Sequence, residues 1–395
     1  MKIFIILISV VVVLAGGSSA DLAPSLARRI NGNHSLVNPT LVTIDRGAVC
    51  LHGNPATYYY SKGFGKGSKN WIVYLPGGGW CSDFANCNAY IKNKGVGTDP
   101  KPITFGYIFS NEKQKNPDFF NWNRVVVRYC DASSFTSNSK ITDENGDTIY
   151  LRGARIFKAV MEELLGLGMG NARNAILAGS SAGGVATAIY CDRFRGLIPS
   201  ASRVKCLSDG GYFFLAKNHS QGNQFLSYFE ALTKIQGSKT ALPESCTTKL
   251  SAELCFFPPN LLANIKTPIF FFMSEFDRVQ IEYTLGKDFV TCIEQRNCSS
   301  NQLKAMQDLR TELLPVLPNG GKNSKNGLLI TSPFAHTRLF DPSWYFPVPG
   351  TKKTYDELFR DWYFDRKSVR VIDNYTCPYH CYVHQCRKFC YNPSP

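Results

Sequence analysis

Two serines, Ser180 and Ser181, stand side by side in AILAGSSAGGVATAIY (175–190), between an apolar run and an alanine-rich stretch. Only Ser181 has glycine two residues before and two after it, at Gly179 and Gly183, so a G-x-S-x-G register selects it. At a strand-to-helix junction that pattern permits a sharp turn that lifts a hydroxyl above the end of a sheet, where it can attack an ester carbonyl. Ser180 has Ala178 and Ala182 in the corresponding places, and a methyl group at either would crowd such a turn.

A serine hydroxyl needs a base, and the base needs an acid to orient it. Behind such an elbow, the acid and then the histidine follow in chain order. His336, His380 and His384 lie far enough downstream. The last two fall in a cysteine-rich tail, whereas His336, in ITSPFAHT, follows a predicted strand on a loop that can reach Ser181. For the acid, Asp277 follows the apolar run 267–273 in MSEFDRVQ, with its neighbour Glu275 as the alternative. Asp209, in LSDGG, ends the strand directly after the nucleophile's own and reads as a turn or supporting residue. Upstream, the triple glycine of YLPGGGWC (74–81) lets backbone approach a substrate oxygen closely. The N–H groups of Gly78 and Gly79, with that of Ala182 directly after the nucleophile, are the candidate oxyanion hole. Neither G-x-G-x-x-G nor GxxxxGK[ST] fits this glycine stretch, which argues against a nucleotide site.

These groups need a scaffold, and the apolar pattern supplies one. WIVYL (71–75), RVVVRY (124–129), NAILAG (174–179), RVKCLS (203–208), TPIFFFM (267–273) and GLLIT (327–331) read as short buried strands, the last being the final central one. LRGARIFKAVMEELLGLG (151–168) has apolar residues at helical spacing, and 182–192 reads as the next helix. Strands alternating with helices predict an α/β architecture with a mainly parallel sheet covered on both faces. Residues 21–45 read as an irregular arm, and 212–262 and 280–325 as helical insertions into a single catalytic domain spanning 21–395.

The first twenty residues place Lys2 before the apolar run 3–15 and small residues Ser18 and Ala20 at its end, the layout of a cleaved secretory leader. That run is too short to span a bilayer, and no other run is long enough. The formal net charge of +14 falls to +13 once the leader, with its one lysine and no acid, is removed. A basic exported chain suits an acidic partner; secretion and the scattered placement of the basic residues argue against nucleic acid. Fourteen cysteines in an exported chain read as disulfides. Cys81 with Cys87, Cys191 with Cys206, Cys246 with Cys255 and Cys292 with Cys298 are close couples. The tail from Cys377 to Cys390 holds four more, for which bridges are expected rather than zinc. Asn33, Asn218, Asn297 and Asn374 lie in glycosylation sequons.

From about Leu41 to the tail, the chain resembles the pectin acetylesterase family of plants, which is related to the animal esterase Notum. The resemblance rests on GGGWC, NPDFFNWNRVVVRYCD, the serine motif, LSDGG, CFFPPN and FAH. It implies an α/β-hydrolase fold, an extracellular or cell-wall location, no cofactor or metal, and removal of acetyl groups from pectin, an acidic polysaccharide. It also implies Ser181 as nucleophile, Asp277 as acid, His336 as base and a Cys50–Cys130 bridge. A monomer is expected. Pro76 stands where relatives often have glutamate, and Ser180, Pro333 and Thr337 stand where cysteine is common. Two other readings remain at this level: a Notum-like deacylase of lipid-modified protein, which would need a deep apolar pocket, and a wall-binding protein without activity, against which the intact Ser–Asp–His order argues.

Overall fold

A computed structural model of the protein describes residues 35–216, 219, 221–318 and 325–373. The leader, Asn33, Asn218, Asn374, His380, His384 and the cysteine-rich tail lie outside the described residues. Nine strands form the central sheet: β1 (Pro39–Leu41), β2 (Thr57–Ser61), β3 (Asn70–Leu75), β4 (Asn123–Val127), β5 (Asn174–Ser180), β6 (Arg203–Asp209), β7 (Ile269–Ser274), β8 (Gly327–Thr331) and β9 (Arg370–Ile372). Their order is β1-β2-β4-β3-β5-β6-β7-β8-β9. The β1–β2 and β2–β4 pairs are antiparallel and the rest are parallel.

The inner strands are mostly apolar on both sides because both of their faces are buried. In β3, Trp71, Val73 and Leu75 enter one core while Ile72 and Tyr74 enter the other; in β5, Ala175 and Leu177 oppose Ile176 and Ala178 in the same way. One face is covered by α2 (Gly153–Gly166) and α3 (Ala182–Leu197), the other by α8 (Tyr355–Tyr363), whose Phe359, Trp362 and Tyr363 pack into the second core. α1 (Phe84–Lys94) precedes α2 in sequence, and α4 (Gly222–Gln236), α5 (Arg278–Thr284), α6 (Lys287–Gln295) and α7 (Ser300–Leu313) lie between α3 and α8. Thus the described part of 280–325 is mostly helical, and the described part of 212–262 holds α4 followed by one four-residue helix, Glu244–Thr247, and short 3-10 turns.

Three edge features differ from the sequence reading. Part of the segment expected to be an irregular arm is extended: Ser35–Val37 pairs with Ile103–Phe105, and β1 joins the central sheet. A short edge strand, β9, pairs outside β8, which is the last strand with a neighbour on each side. These edge strands are three residues long, too short to show a period.

Among the described residues, five disulfides join Cys50 to Cys130, Cys81 to Cys87, Cys191 to Cys206, Cys246 to Cys255 and Cys292 to Cys298. Asn297 is exposed, beside the last of them. The chain's strand order reverses around β3 and β4, so the carboxyl ends of β3 and β5 open a crevice of the kind where such sheets place ligands.

Candidate active site

Ser181 joins β5 to α3 with φ 57° and ψ −125°. Such backbone is costly for a residue with a Cβ and persists only where its surroundings fix it. Here the Ser181 N–H donates to the Asp209 carbonyl (2.8 Å), and the Ser181 carbonyl accepts from Val185 (3.0 Å). The glycines on either side are steric necessities. A Cβ on Gly179 would stand 2.1 Å from the Gly183 carbonyl oxygen, and one on Gly183 would stand 1.8 Å from that of Leu75.

His336 follows β8 on a segment pinned at several points. Ser332 N–H and Oγ donate to the Asp373 carboxylate (2.7 and 3.0 Å), and Ser274 Oγ donates to the Pro333 carbonyl (2.7 Å). Asp277 caps α5: its Oδ1 accepts from Val279 N–H (2.9 Å) and Gln280 N–H (3.1 Å). Its other oxygen, Oδ2, lies 2.8 Å from His336 Nδ1. An ionised carboxylate only accepts, so Nδ1 carries the proton and neutral Nε2 offers a lone pair. Nε2 is buried and has no hydrogen-bond partner among the described residues. Burial pulls the His336 pKa down, but the charge and hydrogen bond of Asp277 and the charge of Asp209 outweigh it, leaving the imidazole above its ordinary 6.5.

The Asp209–Gly210 segment joins elbow to histidine. The Asp209 carbonyl holds the Ser181 N–H, and a Cβ on Gly210 would stand 2.2 Å from the His336 carbonyl oxygen. The Asp209 Oδ2 accepts three bonds, from Ser180 Oγ (2.9 Å), Arg338 N–H (2.9 Å) and Leu339 N–H (3.0 Å). Burial, opposed by these bonds, pushes this carboxyl up to about 6. The alternative acid, Glu275, turns elsewhere: its fully buried side chain pairs with Arg310, with Arg310 Nη2 3.1 Å from Oε1.

In the glycine loop, a Cβ on Gly78 would meet Tyr90 at 2.6 Å and Tyr129 at 2.7 Å, and Gly79 has φ +82°. No acceptor among the described residues takes the N–H of Gly78 or Gly79. Ala182 opens α3, where an N–H has no intrahelical acceptor. A raised hydroxyl, an oriented imidazole and unpaired amides are the parts that acyl transfer requires. Aromatic rings close one flank: Phe213 lies 6.1 Å from the His336 ring and 5.6 Å from Trp80, which also packs on Phe229 at 5.0 Å.

The sequence matches the family model described as Pectinacetylesterase over residues 30–386. The chain belongs to this family. It is accordingly a carboxylic ester hydrolase. It is 37% identical to pectin acetylesterase 7 of Arabidopsis thaliana, across 85% of this chain and 90% of that protein. Pectin acetylesterase 5 of the same plant is 35% identical, across 95% and 90%. A palmitoleoyl-protein carboxylesterase, notum1a of Danio rerio, is 30% identical across 68% of this chain and 55% of its own length. The solved structure of the Drosophila Wnt deacylase Notum superposes with TM-score 0.73 at 23% identity, covering 91% of this chain and all of that one, which establishes the α/β-hydrolase fold.

Two of this chain's departures from the pattern of its relatives, Ser180 and Pro333, acquire a physical account. Ser180 and Pro333 are each held by one hydrogen bond, to Asp209 and from Ser274. The Asp209 carboxylate, bonded at once to Ser180 and to residues 338–339, ties the elbow to the histidine loop without a covalent link. Its signal in the sequence was only its place at the end of β6. Of the side chains that fix the glycine loop, Tyr129 stood only inside a predicted strand and a family-like stretch, and Tyr228 and Gln236 carried no signal.

Proposed function

We propose that this protein is a secreted serine esterase that removes acetyl groups from cell-wall pectin. Ser181 Oγ attacks the acetyl carbonyl as His336 Nε2 takes its proton. Asp277 holds the imidazole and stabilises its cation, and the amides of Gly78, Gly79 and Ala182 receive the developing oxyanion. The tetrahedral intermediate collapses as the imidazolium protonates the departing sugar oxygen, which leaves as a hydroxyl. Water activated by His336 then releases acetate from Ser181. The observation that carries this reading is the 2.8 Å contact of His336 Nδ1 with a carboxylate already fixed by two helix N–H groups, which leaves Nε2 free.

Three features favour acetyl esters of an acidic polymer. The chain is similar to pectin acetylesterases over nine-tenths of their length, and its excess of basic residues suits a polyuronate. Interlocked Trp80, Phe213, Phe225 and Phe229 also fill the flank beside His336, where an extended acyl chain would need space. Acetate release from acetylated homogalacturonan, measured beside hydrolysis of a long-chain acyl ester, tests the assignment. A higher kcat/KM on the pectin is expected; a preference for the long-chain ester contradicts it.

A further inference from the structure

Three successive carbonyls of the glycine loop each receive a side-chain donor from the protein interior. Tyr129 Oη donates to the Gly79 carbonyl (2.7 Å), Tyr228 Oη to that of Trp80 (2.8 Å) and Gln236 Nε2 to that of Cys81 (2.8 Å). Tyr228 and Gln236 lie eight residues apart on α4, so one helix face serves both. In a planar trans peptide the carbonyl and the following N–H point in opposite directions, and no peptide among the described residues is cis. Holding the Gly79 carbonyl inward therefore turns the next amide outward. No acceptor among the described residues takes the N–H of Gly78, Gly79 or Trp80.

The direction of the Tyr129 proton is fixed as well. Its oxygen accepts from the Ser134 N–H (3.0 Å), so its own proton is left for Gly79. Ser134 Oγ in turn accepts from the Trp80 indole (2.8 Å). Ser134 sits in a turn where Ala132, Ser134 and Phe135 all have positive φ, at 45°, 54° and 58°. The buried Asp131 carboxylate holds that turn by accepting from Ser133 N–H (3.2 Å) and Phe135 N–H (2.8 Å). Such strain in non-glycine residues needs surroundings that over-determine it, and the disulfides Cys50–Cys130 and Cys81–Cys87 close the same region from both sides.

We infer that Tyr129 and Tyr228 are positioning residues: with the Cys81 N–H already given to the Ala132 carbonyl (3.2 Å), they fix the peptides on both sides of Trp80 and so set its amide, beside those of Gly78 and Gly79, to receive the oxyanion. The inference rests on the serine-esterase reading. Preorganised donors act on the charge that develops in the transition state and hardly on the bound ester. Losing one orienting hydroxyl should therefore lower kcat and leave KM nearly unchanged.

The test is Tyr129→Phe and Tyr228→Phe, assayed on a small acetyl ester and with a trifluoromethyl ketone, which forms an anionic hemiketal with a serine nucleophile. Removing an oxyanion donor outright costs roughly a hundred- to a thousandfold, so a misaligned one should cost about ten- to thirtyfold in kcat. The ketone Ki should rise by a similar factor and KM should stay within about threefold. A role in folding alone would lower thermal stability and leave the ketone affinity of the folded fraction unchanged. Folded variants with kcat and Ki within threefold of wild type, or with a change confined to KM, overturn the inference. Should Tyr129→Phe not fold, Tyr228→Phe carries the same expectation and decides alike. A wild-type enzyme that the ketone does not inhibit overturns the esterase reading itself; an inhibited wild type with unaffected variants overturns this inference alone.

Discussion

Replacing Asp277 with asparagine separates orientation of the histidine from structural support. In Asp277→Asn the amide oxygen can take the place of Oδ1 and keep both bonds from Val279 and Gln280. Asparagine caps a helix about as well as aspartate, so the fold should survive. The amide nitrogen then faces His336 Nδ1 in place of Oδ2. Being a donor, it selects the tautomer with the proton on Nε2, which cannot accept from Ser181. The loss should be about ten-thousandfold in kcat, or about 5 kcal/mol of transition-state stabilisation, with little change in KM. Asp277→Ala also removes the cap and should cost about 1 kcal/mol of stability besides. Two neighbours serve as controls. Glu275→Gln removes a charge that burial already disfavours in the folded state, so it should lower stability only modestly and leave the activity of the folded protein intact. Asp209→Asn can keep all three bonds on the one oxygen that receives them and should be mild. The assay is acetyl-ester hydrolysis by the purified variants, with circular dichroism and thermal melts. A folded Asp277→Asn enzyme within tenfold of wild type would refute the assignment.

Other consequences follow from charge and sterics. Because His336 titrates above 6.5 and must be neutral to act as base, the acid limb of kcat/KM should have its midpoint above pH 6.5. In Asp277→Asn the limb should move to lower pH; an unmoved limb contradicts the pairing. Burial holds Asp131 and Asp209 up to about 6 and Glu275 up to about 7, so each binds its proton more tightly folded than unfolded. Their stabilising effect is full below the unfolded value near 4 and is lost as pH rises through those folded values. His336, also raised, has the same sign, whereas Asp45, held low by Arg155, loses its contribution only in stronger acid. The melting temperature should therefore fall between pH 5 and pH 8, and a rise across that interval contradicts this reading. Gly183→Ala should abolish folding or activity, since its Cβ would meet the Leu75 carbonyl at 1.8 Å, while Gly196→Ala, in the same helix with nothing nearby, should be tolerated; equal tolerance at both refutes the steric argument.

The inner strands were legible because burial on both faces makes them continuous apolar runs, and predicted and observed limits differ by a residue or two. The elbow register was legible for a steric reason: only Ser181 has glycine at both crowded positions. Choosing Asp277 over Glu275 was less determined, since both follow β7; the direction of each side chain depends on the start of α5 and on Arg310 from α7. The edge strands were missed because three residues carry no period. The bonds of Asp209, Tyr129, Tyr228 and Gln236 were invisible because their partners, nearly all of them backbone atoms, are brought close only by the folded chain.

The central claim is that Ser181, and not Ser180, is the nucleophile. Reaction of the active enzyme with an organophosphonate ester, followed by peptide mass spectrometry, tests it most directly. A single stoichiometric adduct on Ser181 is expected, with Ser181→Ala unlabelled and slower by about a millionfold in turnover, and with Ser180→Ala still labelled. An adduct on Ser180, or a Ser181→Ala enzyme that still hydrolyses acetyl esters, would contradict the account.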